Sequence, residues 1–319
     1  MECLVKSKES HFIELEYLPR ELLKSFAKSY SLSFPELELG SPTLITFLER
    51  KFQIFENSSF HNIAALISDN GLVASGYGMV RSSYSQGKQD LNVALVCDVF
   101  TNPRFRKMGL FKKVSLVAID REKLTKTNFL IGFLIRDEVM PGHLSVGWKY
   151  VFNMPLWWGF PRLGWLKDFE KKPDLNSSMF DVPKSKVSIK VNDEYLKWRF
   201  SYHNVNYYLI SIPNSKDFAI VRKAKLRKIP FTCVVFMQST NESSTRILVH
   251  RIQRLAFRLG TFGVLGCWNE SYANDLFLSK SGLRKSSKFQ KVIVRELNGF
   301  RCPNDEKDYR LSWIDSDTL

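Results

Sequence analysis

Val99-Phe-Thr-Asn-Pro103-Arg-Phe-Arg106-Lys-Met-Gly109-Leu-Phe-Lys-Lys-Val-Ser-Leu-Val-Ala-Ile119 reads as strand, loop and helix in immediate succession. The apolar run from Leu91 to Phe100 stops at Thr101-Asn102-Pro103, which carries the turn residues Asn and Pro. A short basic loop follows and ends in Gly109, after which Leu110, Val114, Val117 and Ala118 recur at helical spacing. The first N–H groups of such a helix have no intrahelical acceptor and point outward, a setting that binds anions. Arg104, Arg106 and Lys107 add positive charge beside them, so a phosphate or pyrophosphate ligand is predicted.

Two common phosphate loops are absent: the chain has neither Gly-x-x-x-x-Gly-Lys-Ser/Thr nor Gly-x-Gly-x-x-Gly. What stands there, Pro103-x-x-Arg106-x-x-Gly109-x-Phe111, resembles the acetyl-CoA loop of the GNAT family of N-acyltransferases, Arg/Gln-x-x-Gly-x-Gly/Ala. Arg106 and Gly109 match, Pro103 sits where a proline is common, and Phe111 replaces a small residue. Downstream come an apolar strand, Asn128 to Leu134 with its Gly132-Phe133, a polar stretch from Asp137 to Val146, and Gly147-Trp148 leading a last strand. This order is similar to the end of a GNAT module, above all to divergent members linked to bacterial polysaccharide biosynthesis. Leu134-Ile135 stands where those often carry Pro-Asn, and the resemblance spans roughly residues 45 to 157.

The resemblance implies a transferase that binds acetyl-CoA or another acyl-CoA and passes the acyl group to an amine by direct attack in a ternary complex. It implies that Val99 and Phe100 offer strand backbone groups, and that Arg104, Arg106, Lys107, Met108, Gly109, Leu110 and Phe111 hold the pyrophosphate. The acceptor would be an amine-bearing molecule, a sugar or nucleotide sugar among the candidates. No metal is expected. Two residues are candidate catalytic groups. Asp98 is a carboxylate inside the apolar run Val96 to Phe100; it either takes a proton from the amine or hydrogen-bonds the loop backbone. His143, in Met140-Pro-Gly-His, has a side chain that titrates near neutrality, and is either a base or a structural residue.

The chain reads twice through one plan. Phe47-Leu48-Glu-Arg-Lys51-Phe52 and Tyr195-Leu196-Lys-Trp-Arg199-Phe200 share a spacing, and Phe60 and Tyr208 follow each at the same distance. Strands near 62–68, 72–80 and 91–100 precede the loop; strands near 207–212, 218–221 and 231–238 precede a second helix, 246–259. A strand at 262–268, a helix at 269–281 and a final strand at 289–297 complete the second pass. Gln238 to Arg246 has no glycine and carries Glu242 where an anion would sit, so this copy is read as degenerate. The predicted fold is α/β (α+β), two tandem GNAT-like modules, each a mixed, mostly antiparallel twisted sheet flanked by helices. The expected divisions are 1–157 for the acyl-CoA module, 158–187 for a linker, 188–300 for the degenerate module and 301–319 for a tail.

The net charge of +15 favours anionic partners. No zinc finger or RNA-binding strand signature accompanies it, so nucleic acid is the weaker alternative, as is a non-catalytic scaffold that keeps the fold. Five dispersed cysteines (Cys3, Cys97, Cys233, Cys267, Cys302) lack metal-ligand spacing and fit a cytoplasmic setting. Trp148 is expected in the core, whereas Trp157, Trp158 and Trp165 are expected to cover the junction of the modules.

Overall fold

The computed structural model describes residues 12–15, 20–35, 41–53, 61–68, 70–164, 169–181, 185–200, 205–226 and 228–316. Cys3, Phe60 and Trp165 lie outside them. The chain first gives β1 (Phe12–Leu15), α1 (Leu23–Ser33), α2 (Ser41–Gln53), β2 (His61–Ser68), β3 (Val73–Gln86) and β4 (Gln89–Thr101). Next come α3 (Leu110–Lys123), β5 (Phe129–Leu134), α4 (Met140–Ser145) and β6 (Lys149–Gly159). After β7 (Glu170–Lys171), β8 (Ser188–Ile189) and α5 (Asp193–Phe200) come β9 (Tyr207–Ser211), β10 (Phe218–Leu226) and β11 (Ile229–Gln238). The last elements are α6 (Glu242–Arg258), β12 (Gly263–Cys267), α7 (Glu270–Asp275) and β13 (Arg284–Glu296).

The expected plan is present: β2-β3-β4-α3-β5-α4-β6 and β9-β10-β11-α6-β12-α7-β13 follow the same order of element types. The strands on either side of the long helix are parallel in both passes, β4 with β5 and β11 with β12. Their neighbours β2–β3, β9–β10 and β10–β11 are antiparallel. α7 is shorter than the predicted helix because Phe277, at φ 51°, turns left-handed just after it.

The chain divides into two compact units, Met1–Ser82 with Asn92–Tyr150 and Ile293–Cys302, and Ser83–Leu91 with Val151–Val292 and Pro303–Leu319. In the first, the strand order is β1-β2-β3-β4-β5-β13. Here β5 is covered by the end of β13: the Leu297 N–H donates to the Asn128 carbonyl at 2.9 Å. The Ile293 side chain seats over Gly132, where a Cβ would meet it at 3.1 Å. In the second, the order is β13-β6-β12-β11-β10-β9-β7, and Val264 of β12 stands opposite Gly159 of β6. Each sheet is therefore completed by the closing strand of the other pass, whereas the sequence places each closing strand in its own module.

Helical periodicity explains both cores. α1 buries Leu23, Phe26, Ala27 and Tyr30, and α3 buries Leu110, Val114 and Ala118, one stripe each. α6 lays Leu248, Ile252, Leu255 and Ala256 on Val234 and Val264. Residues 303–316 are not a loose end in the second unit: Tyr309, Leu311, Trp313 and Ile314 are buried. Phe180, within the expected linker, packs its ring on Phe218 and Phe236.

Candidate functional site

The site begins where two strands part. β4 pairs with β5 in parallel only over Val93–Leu95 and Phe129–Ile131, yet β4 runs on to Thr101 and β5 to Leu134. Asp98, within β4, takes a left-handed backbone at φ 49°, a local irregularity of the kind that bends a strand. Past it, Phe100 turns its ring onto Gly76, where a Cβ would come within 2.6 Å, and edge-on to Phe26 with centroids 4.9 Å apart. Only glycine fits beneath that ring.

The loop is pinned by Asn102, which the sequence offers only as a turn residue. Its side chain is wholly buried: Nδ2 donates to Ser29 Oγ at 2.9 Å and Oδ1 accepts from the Arg104 N–H at 3.1 Å. Its own N–H donates to the Ala74 carbonyl at 2.9 Å. Lys107 (φ 67°) and Gly109 (φ 72°) are both left-handed and swing the chain into α3. The N–H of Lys113 donates to the Gly109 carbonyl at 3.3 Å. The N–H groups of Leu110, Phe111 and Lys112 therefore precede any intrahelical acceptor, and no described residue accepts from them.

Around this helix end Arg104, Arg106, Lys107, Met108 and Gly109 are exposed, and Arg106 Nε donates to the Thr101 carbonyl at 3.5 Å. Leu110 and the half-buried Val99 belong to the core. Phe111 points away from the helix end: its ring lies on Gly142, where a Cβ would come within 2.8 Å, and 5.0 Å from the His143 ring. The bulk of Phe111 is thereby removed from the backbone donors.

The two candidate catalytic residues lie apart from these donors in character. Asp98 accepts from the Tyr30 hydroxyl at 2.8 Å and pairs with Lys51 Nζ at 2.5 Å, tying the end of β4 to α1 and α2. Lys51 appears in the sequence only as part of the repeat spacing; nothing local announces its partner. His143 is buried among Tyr77, Phe111 and Trp148, with ring centroids 5.0–6.2 Å away. Burial pushes its pKa down to about 4, so the imidazole is neutral at pH 7.

At the corresponding place in the second unit the helix end is already occupied. Asn241 caps α6, accepting from the Ser244 N–H at 2.9 Å, and Glu242 stands in the first turn, pairing with Arg246 at 3.0 Å. The buried Asp217 carboxylate accepts from the N–H of Thr240 at 2.9 Å and its hydroxyl at 3.0 Å. Burial pushes the Asp217 carboxyl up, but hydrogen bonds from Ser244, Ser215 and Thr240 outweigh it and hold it below the usual range. Two carboxylates thus stand beside the start of this helix. Among the described residues, no three His, Cys, Asp or Glu side chains gather as a metal site. Nor is any helix among them long and apolar enough to cross a membrane.

The sequence matches no protein-family model and no curated protein. The structure does have solved counterparts. A GCN5-related N-acetyltransferase from Anabaena variabilis superposes with a TM-score of 0.64 at 11% identity, covering 90% of this chain and 73% of that one. The fold is that of the GCN5-related N-acetyltransferases. A second GCN5-related N-acetyltransferase, from Sphaerobacter thermophilus, gives a TM-score of 0.53 at 11% identity over 94% of this chain and 100% of that one. Saccharomyces cerevisiae N-myristoyltransferase with bound myristoyl-CoA gives 0.62 at 9% identity, over 96% of this chain and 89% of that one. The GNAT fold of this chain extends over nearly its whole length in each comparison.

Proposed function

We propose that the protein is an acyl-CoA-dependent N-acyltransferase whose first unit holds the CoA pyrophosphate at the start of α3. The observation that carries this reading is the row of unaccepted N–H groups at Leu110, Phe111 and Lys112, set behind left-handed Gly109 and flanked by Arg104, Arg106 and Lys107. The parting of β4 from β5 leaves strand backbone at Val99 and Phe100 to line a pantetheine arm. The acceptor amine, once deprotonated, attacks the thioester carbonyl; the C–N bond forms, the C–S bond breaks and CoA leaves as the thiol. The protein's main contribution is to align the two substrates and to donate backbone hydrogen bonds to the developing oxyanion. An amine-bearing sugar or nucleotide sugar is the acceptor class implied by the resemblance to GNAT members linked to polysaccharide biosynthesis, and a cytoplasmic setting fits a CoA substrate.

One observation favours a second reading. Asp98 is committed to Lys51 and Tyr30, and His143 is enclosed by aromatic rings, so neither candidate base faces an acceptor freely. A protein that binds acyl-CoA without turning it over would look the same. Titration calorimetry with acetyl-CoA and myristoyl-CoA, followed by a free-thiol assay with amino sugars and amines, separates the cases. Micromolar binding lost on Arg106→Ala supports the acyl-CoA site. Binding with no thiol release for any amine supports the scaffold reading.

A further inference from the structure

One edge of the second unit combines protruding apolar side chains with exposed positive charge. β11 and β12 start side by side: Phe231 is opposite Gly263, the Phe262 N–H donates to the Pro230 carbonyl at 2.8 Å, and the Phe231 and Phe262 rings are 5.8 Å apart. β6 ends at the same edge, with Gly159 opposite Val264 and Phe160 the next residue. α6 delivers its last turn there too, since Lys223 Nζ donates to the Leu259 carbonyl at 2.7 Å. The loop after β6 returns over α6 through the Arg162 N–H, 3.0 Å from the Gln253 carbonyl. Phe160, Leu163, Ile229, Phe257 and Phe262 all project from these segments, Leu163 at 82% and Phe262 at 64% exposure.

Lys225, Lys228, Arg254 and Arg284 are exposed among them. Residues 157–164, 223–231, 254–263 and 283–285 contain no Asp or Glu. Arg284 reaches the Trp158 ring at 5.9 Å, which joins the start of β13 to the same patch.

We propose that this edge is a docking surface for an anionic lipid bilayer. Large apolar side chains grouped on a protein surface mark an interaction site. Phe and Leu tips insert at the headgroup–acyl boundary while Lys and Arg attract the negative leaflet, and the two contributions reinforce one another. Leu163 and Ile229 favour lipid over nucleic acid, because aliphatic tips offer hydrocarbon contact and no face on which a base can stack. The charge of +15, which a single CoA site leaves largely unused, then has a partner. This inference stands independently of acyl transfer.

Vesicle co-sedimentation of the full chain tests it. Binding is compared on phosphatidylcholine alone and with about 30% phosphatidylserine, at about 50 mM and about 300 mM salt. The expected result is at least about tenfold tighter binding to the anionic vesicles, weakened at high salt. Leu163→Ser with Phe262→Ser should cost about tenfold at unchanged net charge, and Phe262→Leu should restore it. Lys225→Glu with Lys228→Glu should also abolish binding, whereas Lys24→Glu with Lys28→Glu, on exposed positions of α1, makes the same charge change elsewhere and should have little effect. Equal binding to neutral and anionic vesicles, equal loss with the α1 variant, or no binding would overturn the proposal. So would tighter binding to polyuridylate that the Leu163/Phe262 variant leaves intact, which would assign the charge to nucleic acid.

Discussion

Lys51 Nζ lies 2.5 Å from a carboxylate oxygen of Asp98, and both side chains are almost wholly buried. This pair joins α2 to the left-handed residue of β4, Asp98. Taking two charges out of water is costly, and their attraction compensates only while both remain. The pair therefore fixes the strand end that leads into the loop.

Breaking it from one side should be severe. Lys51→Met leaves a buried carboxylate without its cation and should cost about 3–5 kcal/mol in urea unfolding. Lys51→Met with Asp98→Leu should recover most of that loss. A double variant no more stable than the single would show that the pair is not the source of the effect.

Asp98→Asn distinguishes brace from base. Removal of a general base lowers turnover about 10²–10⁴-fold. The brace predicts instead that acyl-CoA affinity and Tm fall while turnover at saturation stays near wild type. Measuring all three on one protein decides between them.

Gly109 is held at φ 72°, and among the described residues beyond its chain neighbours a Cβ there would meet no atom within 4 Å. Gly109→Val should therefore fold, at a backbone cost of about 1–2 kcal/mol, while its side chain enters the space in front of the helix donors. Calorimetry should show acyl-CoA affinity reduced at least about tenfold, with wild type binding one CoA per chain because Asn241, Glu242 and Asp217 occupy the second helix end. Unchanged affinity, or two equivalent sites, would refute the assignment.

Gly142 lies within α4, where alanine is the better helix former. Gly142→Ala should nonetheless destabilise, since the new Cβ would stand 2.8 Å from the Phe111 ring. Combining it with Phe111→Leu should relieve the clash and lower the cost seen in thermal unfolding.

Two buried groups give opposite pH slopes. Burial raises the Asp315 carboxyl to about 7, against hydrogen bonds from the Ser312 backbone and Tyr84. The folded protein then holds a proton that the unfolded chain has lost above about pH 4, so stability falls as pH rises from about 4 to 7. His143 has a lowered pKa, so its contribution falls in the other direction, as pH drops from about 6.5 to 4. Asp315→Asn should make unfolding free energy rise more steeply with pH over that range than in wild type. Identical slopes would mean the carboxyl is not protonated when folded.

The parts of the fold visible in the sequence are those written locally. The β4–loop–α3 junction and the α6 periodicity each need only neighbouring residues, and both are formed, α6 beginning at Glu242, ahead of the expected 246. The loop's buried anchors were not visible, because Asn102 meets Ser29, and Asp98 meets Tyr30 and Lys51, across long stretches of chain. The same holds for Glu122, fully buried against Arg81 at 2.7 Å. Strand partners were hidden for another reason: alternation along β6 and β13 shows which residues face a core but not which strand lies alongside.

The exchange of closing strands bears on how the chain is made. Synthesis runs from the N-terminus, and domains generally fold as units once their residues have emerged. The first unit lacks Ile293–Cys302 until the whole second pass has been synthesised, so β5 stays a bare edge until then. An uncovered edge strand invites pairing with other chains. A nascent chain arrested after residue 157 should accordingly remain sensitive to protease and bind chaperones, and extension past Cys302 should end both together.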